Sequence, residues 1–142
     1  MNAEVTRDIF SKLEYWSVYD IKRKFDEGRL NVPDFQRNDV WLNPDKSRLI
    51  ESMLRGIPIP SIYLAEEEEG KYVVIDGQQR INSVVQYSDG KFGLSGLKVL
   101  TNLKNKRYSN LIGEHKQLAS RLLDATIPVI IISTRADDEI VY

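Results

Sequence analysis

The chain has 142 residues, 42% of them hydrophobic, and a formal net charge of −1. This length and composition predict one domain with a real core, and they argue against a disordered chain. The chain has no cysteine and one histidine, which argues against thiol catalysis, thiolate zinc sites, histidine metal sites and a Ser-His-Asp triad.

The distribution of apolar and charged residues bears on location and partners. No apolar run approaches the roughly 18 residues that span a bilayer, and the N-terminus has no signal pattern, so we expect a cytoplasmic protein without a membrane partner. Residues 91–136 contain eight basic and two acidic residues. This basic third indicates either a surface that faces nucleic acid or ordinary solvated lysine and arginine.

Caps, turns and apolar periodicity predict an α+β domain with a small mixed sheet and flanking helices. In chain order, they predict a helix from Ser17 to about Glu27 ended by Gly28, a strand at 30–32, a loop at 33–42, and a helix from the Asn43-Pro44 cap to Gly56 with an apolar stripe of Leu49, Ile50, Met53 and Leu54. Strands at 62–65 and 72–75, joined by a charged tip at 66–70, are followed by a helix at 77–88. The rest is predicted to form short strands broken by Gly93 and Gly96 within 91–113, a helix at 114–124, a strand at 127–133 and the first turn of a further helix at 137–140. We therefore predict an N-terminal extension at 1–16, one domain at 17–135 and the start of a helix at 136–142.

The most informative segment is residues 75–80, Ile-Asp-Gly-Gln-Gln-Arg, at the predicted junction of a strand and a helix. A helix N-terminus leaves backbone N–H groups unpaired, and its dipole favours negative charge. Arg80 lies in the first helical turn, where its charge opposes that dipole unless an anion lies between them. The junction therefore predicts an anion site. The alternative is a capping box, in which Asp76 caps the helix and Gln79 reaches back, but this leaves Gln78 and Arg80 unexplained.

A second group of candidate residues lies in the loop at 33–42. Phe35, Gln36 and Arg37 are followed closely by Trp41. Aromatic side chains in a loop either stack on a ligand or pin the loop to the core, and the sequence leaves both open. Arg37 offers a planar guanidinium that suits phosphate or carboxylate.

One weaker pattern points to a metal-dependent nuclease. Pro33-Asp34 followed by Glu69-Gly70-Lys71 has the residue types of a Pro-Asp, acid-x-Lys site. Glu69 and Gly70 belong to a predicted hairpin tip, so a solvated turn is the favoured interpretation. A P-loop is excluded because the chain has no Gly-x-x-x-x-Gly-Lys-Ser/Thr segment.

Three blocks together resemble a large bacterial family. They are Val32-Pro33-x-Phe35-Gln36-Arg37-x-x-Val40-Trp41, then Leu49-Ile50-Glu51-Ser52-x-Leu54-x-Gly56-x-Pro58-x-Pro60, then Ile75-Asp76-Gly77-Gln78-Gln79-Arg80. Their order is similar to that of the N-terminal domain of GmrSD-type modification-dependent restriction enzymes, within the ParB/sulfiredoxin-like fold. The resemblance covers roughly residues 17–135, and Asp-Gly-Gln-Gln-Arg is its signature.

The resemblance implies a corner that binds a nucleoside triphosphate, with hydrolysis that controls DNA cleavage. The implied nucleotide-binding residues are Phe35, Gln36, Arg37, Asp76, Gly77, Gln78, Gln79 and Arg80, and the implied catalytic residues are Asp76, Gln78, Gln79 and Arg80. Asp76 is the candidate ligand of a possible Mg²⁺ ion, directly or through water, or positions the attacking water. Arg37 and Arg80 would neutralise phosphate charge, and either glutamine would orient water.

Departures from the family limit the chemistry of this segment. Sulfiredoxins need a cysteine at this corner, and the usual His-Asn-His nuclease has no counterpart here, so nuclease activity is not expected of these residues alone. We expect a nucleotide-binding, NTP-hydrolysing regulatory domain of an anti-phage restriction protein, with a C-terminal nuclease domain or subunit as partner. The alternative is a DNA-binding or modification-sensing module without NTPase activity, using Lys104, Lys106 and Arg107.

Overall fold

The computed structural model describes residues 7–33 and 40–136. That part of the chain contains five strands and five helices: β1 (Arg7–Ser17), α1 (Val18–Asp26), β2 (Leu30–Asn31), α2 (Asn43–Leu54), β3 (Ile62–Glu68), β4 (Lys71–Asp76), α3 (Gln78–Ser88), α4 (Tyr108–Glu114), α5 (Lys116–Asp124) and β5 (Thr126–Ala136). A short 3₁₀ turn, Thr101–Leu103, precedes α4. None of the described helices has the length and apolar character needed to cross a bilayer.

The strands form one mixed sheet in the order β1-β5-β3-β4-β2. The β1/β5 and β3/β4 pairs are antiparallel, whereas the β5/β3 and β4/β2 pairs are parallel. The predicted α+β class with a small mixed sheet is confirmed. β1 was not predicted, although it pairs with β5 along its whole length and covers most of the segment predicted as an N-terminal extension.

The core lies between one face of the sheet and the helices. Side chains from β3, β4 and β5 that are fully buried include Ile62, Leu64, Val74, Ile127 and Val129. α2 packs on α3 and α5, and α1 packs on α3 and α5, so the helices form one layer over these strands. The predicted apolar stripe of α2 is confirmed, because all four of its residues are buried.

The helix boundaries follow local capping chemistry with one exception. Ser17 accepts a hydrogen bond from the Asp20 N–H at 3.0 Å, and α1 is followed by Gly28 at φ +74°, both as predicted. Asn43 was predicted to cap α2, and this is wrong by one residue. Asn43 is the first residue of the helix, and the N-cap is Leu42.

Two further predictions need correction. The charged tip between β3 and β4 is shorter than predicted, because Glu66–Glu68 extends β3 and only residues 69 and 70 form the turn. The predicted helix at 114–124 is α5, which begins two residues later, at Lys116. The helix before it, α4, was not predicted, and the two are separated at His115, where φ is −139° and ψ is 64°. The further helix predicted at 137–140 lies outside the described residues.

The short strands predicted within 91–113 are wrong. Side chains of α2 hold residues 93–100 as a loop, and residues 101–103 and 108–113 are helical. The Asn43 amide donates to the Gly93 carbonyl at 2.9 Å, and the Ser95 hydroxyl donates back to Asn43 Oδ1 at 2.7 Å. The Ser95 N–H donates to Ser47 Oγ at 2.9 Å. Side chains of α2 therefore make the hydrogen bonds to this backbone that a neighbouring strand would otherwise make.

Glu51 completes this attachment. The residue is 4% exposed, and its carboxylate accepts hydrogen bonds from the N–H groups of Lys98, Val99 and Leu100 at 2.7–3.2 Å. Asn43, Ser47 and Glu51 are four residues apart, so they lie on one face of α2. We call these three residues the polar stripe of α2.

Candidate functional site

The predicted site lies where β4 ends and α3 begins. The N-cap of α3 is Gly77, at φ +103° and ψ 19°, and among residues 7–33 and 40–136 no side chain caps the helix. The alternative of a capping box is therefore wrong: Asp76 is the last residue of β4, and it is exposed. No side chain in the described part of the chain accepts from the first-turn N–H groups of Gln78, Gln79 and Arg80, which leaves these donors available to an anion.

Glycine is required at this corner for two reasons. A φ of +103° is a conformation that residues with a Cβ rarely adopt. In addition, a Cβ built on Gly77 would lie 2.5 Å from Ile62 Cγ2, and Ile62 is fully buried. The corner thus packs tightly against β3.

The two glutamines of the signature make structural hydrogen bonds. Gln78 Nε2 donates to the Ile75 carbonyl at 3.1 Å, which folds this side chain back onto the end of β4. Gln79 Oε1 accepts from the Trp41 N–H at 3.1 Å, which fastens the end of the predicted loop to α3. Their predicted role in orienting water stays a prediction.

Arg80 is the most unusual polar group of the corner. One terminal nitrogen, Nη2, donates to the Ser61 carbonyl at 3.0 Å. Its Nε is buried and has no hydrogen-bond partner within residues 7–33 and 40–136, nor does Arg80 form an ion pair there. A buried donor without a partner costs free energy, so this guanidinium is placed for a group that the described residues do not supply.

Arg80 lines a cleft of about 420 Å³, and four residues of α2 line the same cleft. Its other described lining residues are Trp41, Asp45, Arg48, Leu49, Ser52, Pro58, Ile59 and Pro60. We call this space the α2 cleft. Arg48 was missed by the sequence reasoning, although its spacing from Asp45 and Ser52, at i, i+3 and i+7, predicts one shared helix face.

The predicted loop residues Phe35, Gln36 and Arg37 lie outside the described residues. The Trp41 N–H bond to Gln79 shows that the following segment reaches the corner. The Asp34 of the nuclease pattern is also outside the described part, and Glu69 lies in the turn between β3 and β4.

The corner could hold a divalent cation only together with phosphate groups of a bound molecule. Within the described ranges, no group of three acidic, histidine or cysteine side chains could hold a metal ion. Mg²⁺ is commonly held by one or two carboxylates together with substrate phosphates and water. The exposed Asp76 carboxylate suits that arrangement.

The predicted DNA-binding residues lie just before α4. Lys106 Nζ is 2.7 Å from Glu114 Oε1, so its charge is compensated. Arg107 donates to the Gly90 carbonyl at 2.7 Å and stays exposed, and Lys104 is exposed. The structure therefore leaves two exposed basic residues rather than three.

Comparison with known proteins assigns the family. Residues 18–138 match the family described as "GmrSD restriction endonuclease, N-terminal domain". The chain is also 32% identical over 92 residues to a protein of Methanocaldococcus jannaschii described as "Uncharacterized protein MJ0686", a match that covers 48% of this chain and 16% of that protein. No solved structure matches. The chain belongs to the family of N-terminal domains of GmrSD restriction endonucleases.

Proposed function

We propose that this domain binds a nucleoside triphosphate at the start of α3 and hydrolyses it as the regulatory module of an anti-phage restriction protein. The observation that carries the proposal is the buried Nε of Arg80, to which no described residue offers an acceptor, beside a helix N-terminus that no described side chain caps. A negatively charged group at this position would accept hydrogen bonds from both. Family membership supports the restriction context.

The residues of the corner have distinct roles in this proposal. The first-turn N–H groups after Gly77 bind phosphate oxygens, and Arg80 neutralises charge that grows in the transition state. Asp76 holds Mg²⁺ directly or through water, or it positions the attacking water. Mg²⁺, when bound, supplies further neutralisation of the phosphates. Gln78 and Gln79 fix the backbone on either side of the site through their hydrogen bonds, and their remaining polar atoms are available to orient water.

The partners of the whole protein are also part of the proposal. The chain spans 16% of its curated relative, and the family name refers to an N-terminal domain. We propose a nuclease domain or subunit that cuts DNA under control of the nucleotide state, in the cytoplasm.

The Arg80→Ala variant tests nucleotide binding. We expect isothermal titration with GTP, ATP and CTP, with and without Mg²⁺, to detect binding to the wild type and roughly 10- to 100-fold weaker binding to the variant, because a charge-assisted contact is lost. Asp76→Ala should chiefly reduce the Mg²⁺-dependent part. Arg23→Ala, an exposed arginine of α1 that pairs with Asp20, is the matched control. Thermal unfolding checks that each variant is folded.

Two results would contradict the proposal. The first is a wild-type protein that binds none of the three nucleotides. The second is unchanged binding and hydrolysis in Arg80→Ala and Asp76→Ala. Salt-dependent DNA binding that survives both substitutions and is lost in Lys104→Ala with Arg107→Ala would instead favour the DNA-binding alternative, which rests on the exposure of those two side chains.

A further inference from the structure

Two arginines from different helices line the same cleft. Arg48 of α2 and Arg80 of α3 both line the α2 cleft, although they are 32 positions apart and no motif joins them. We propose that the polyphosphate of the bound nucleotide enters the α2 cleft between these two residues, so that Arg48 is a second phosphate-binding residue. This inference rests on the proposed function and states where its ligand lies.

The charge of the ligand requires more than the α3 corner supplies. A polyphosphate carries several negative charges, whereas the corner offers one guanidinium and a helix N-terminus worth about half an elementary charge. Arg48, on α2, provides a further full charge in the same cleft. Its own ion pair is loose, because Arg48 Nη1 lies 4.0 Å from Asp45 Oδ1. A guanidinium held so weakly can turn to a phosphate at little cost.

The remaining walls suit a nucleotide. The volume of about 420 Å³ falls in the range of small-molecule sites, roughly 300–1,000 Å³. Trp41 gives the cleft an aromatic surface, and Pro58 and Pro60 give it a backbone with restricted torsions. The bond between the Trp41 N–H and Gln79 keeps this tryptophan next to the signature segment. The nucleoside therefore has an apolar surface beside the two cations.

The test combines calorimetry with tryptophan fluorescence. GTP, ATP, CTP and inorganic tripolyphosphate are titrated into the wild type, Arg48→Ala and Arg48→Lys. Arg55→Ala, an exposed arginine at the end of the same helix that does not line the cleft, is the control. The fluorescence of Trp41 reports whether the cleft fills, since the chain has only one other tryptophan, Trp16, which is buried against Tyr72. Trp41→Phe identifies that signal.

We expect Arg48→Ala to bind the nucleotides and tripolyphosphate about 10- to 50-fold more weakly, Arg48→Lys to recover part of the loss, and Arg55→Ala to stay within twofold of the wild type. Binding should change the fluorescence of the wild type but not of Trp41→Phe. If the wild type binds a nucleotide and Arg48→Ala binds it equally well, the ligand does not reach Arg48 and this inference fails while the proposed function stands. If the wild type binds no nucleotide, both fail.

Discussion

Replacing Glu51 by glutamine is expected to lower the free energy of unfolding by about 2–3 kcal/mol. One carboxylate, almost fully buried, accepts hydrogen bonds from three successive backbone N–H groups at residues 98–100. Glutamine keeps one acceptor oxygen, but its NH₂ group would face a backbone donor, and the charge that strengthens all of these bonds is lost. Chemical denaturation followed by circular dichroism measures the change.

The control is Glu68→Gln, which removes a carboxylate that is 71% exposed and lies 3.8 Å from Lys71. Its effect should be within about 0.5 kcal/mol of zero. Hydrogen exchange should show that Glu51→Gln chiefly exposes the amides of residues 95–100. Equal losses of stability in the two variants, or faster exchange spread evenly over the sheet, would show that Glu51 does not hold this loop.

The same carboxylate predicts a pH dependence of stability. Burial acts to raise the pKa of Glu51, but hydrogen bonds from the N–H groups of Leu100, Lys98 and Val99 outweigh it and hold the pKa below the ordinary value of 4.5. A pKa that is lower in the folded state contributes stability above the unfolded value, and this is lost as pH falls through the folded pKa. The stability difference between wild type and Glu51→Gln should therefore be constant near pH 7 and shrink below about pH 4.5.

The polar stripe also explains where sequence reasoning failed. The apolar stripe of α2 follows a helical period, so the helix and its buried face were predictable. Asn43, Ser47 and Glu51 form a second stripe, but each is a residue type usually found on solvated helix faces. Their partners lie about 50 positions away, so no local pattern indicates the contact. Phe92, Leu94 and Leu97 consequently resembled strand residues.

The sequence predicted where the candidate site lies, but not which residues form it. The corner at residues 75–80 was identified because a strand-like run, a glycine and a basic first turn are adjacent in sequence. Gly77 rather than Asp76 caps the helix because the chain must pass closely over Ile62, a tertiary requirement. Arg48 joins the site through the packing of α2 on α3, a tertiary contact that no local pattern indicates.

The strand β1 was missed for a different reason: charged residues interrupt the apolar alternation of its sequence.

Replacing Gly77 by alanine is expected to be the most damaging single change at the corner, with a loss of about 3 kcal/mol and a fall in Tm of roughly 10 °C. Two effects add. The left-handed backbone at φ +103° is unfavourable for a residue with a Cβ. The new Cβ would also lie 2.5 Å from Ile62 Cγ2, so either the start of α3 or the buried end of β3 must shift. Thermal unfolding measures the total.

Gly28→Ala separates the two effects. Gly28 has φ +74°, and no atom of the described residues would lie within 4 Å of a Cβ added there. Its substitution therefore carries the cost of the left-handed backbone, about 1 kcal/mol, without a steric clash. A double variant of Gly77→Ala with Ile62→Ala should cost less than the sum of its single changes, because the clashing methyl is gone. Additive losses, or a Gly77→Ala loss no larger than that of Gly28→Ala, would show that the close approach of this corner to β3 is not what requires glycine. The displacement of α3 should also weaken nucleotide binding in the molecules that remain folded, since the first-turn N–H groups move with the helix.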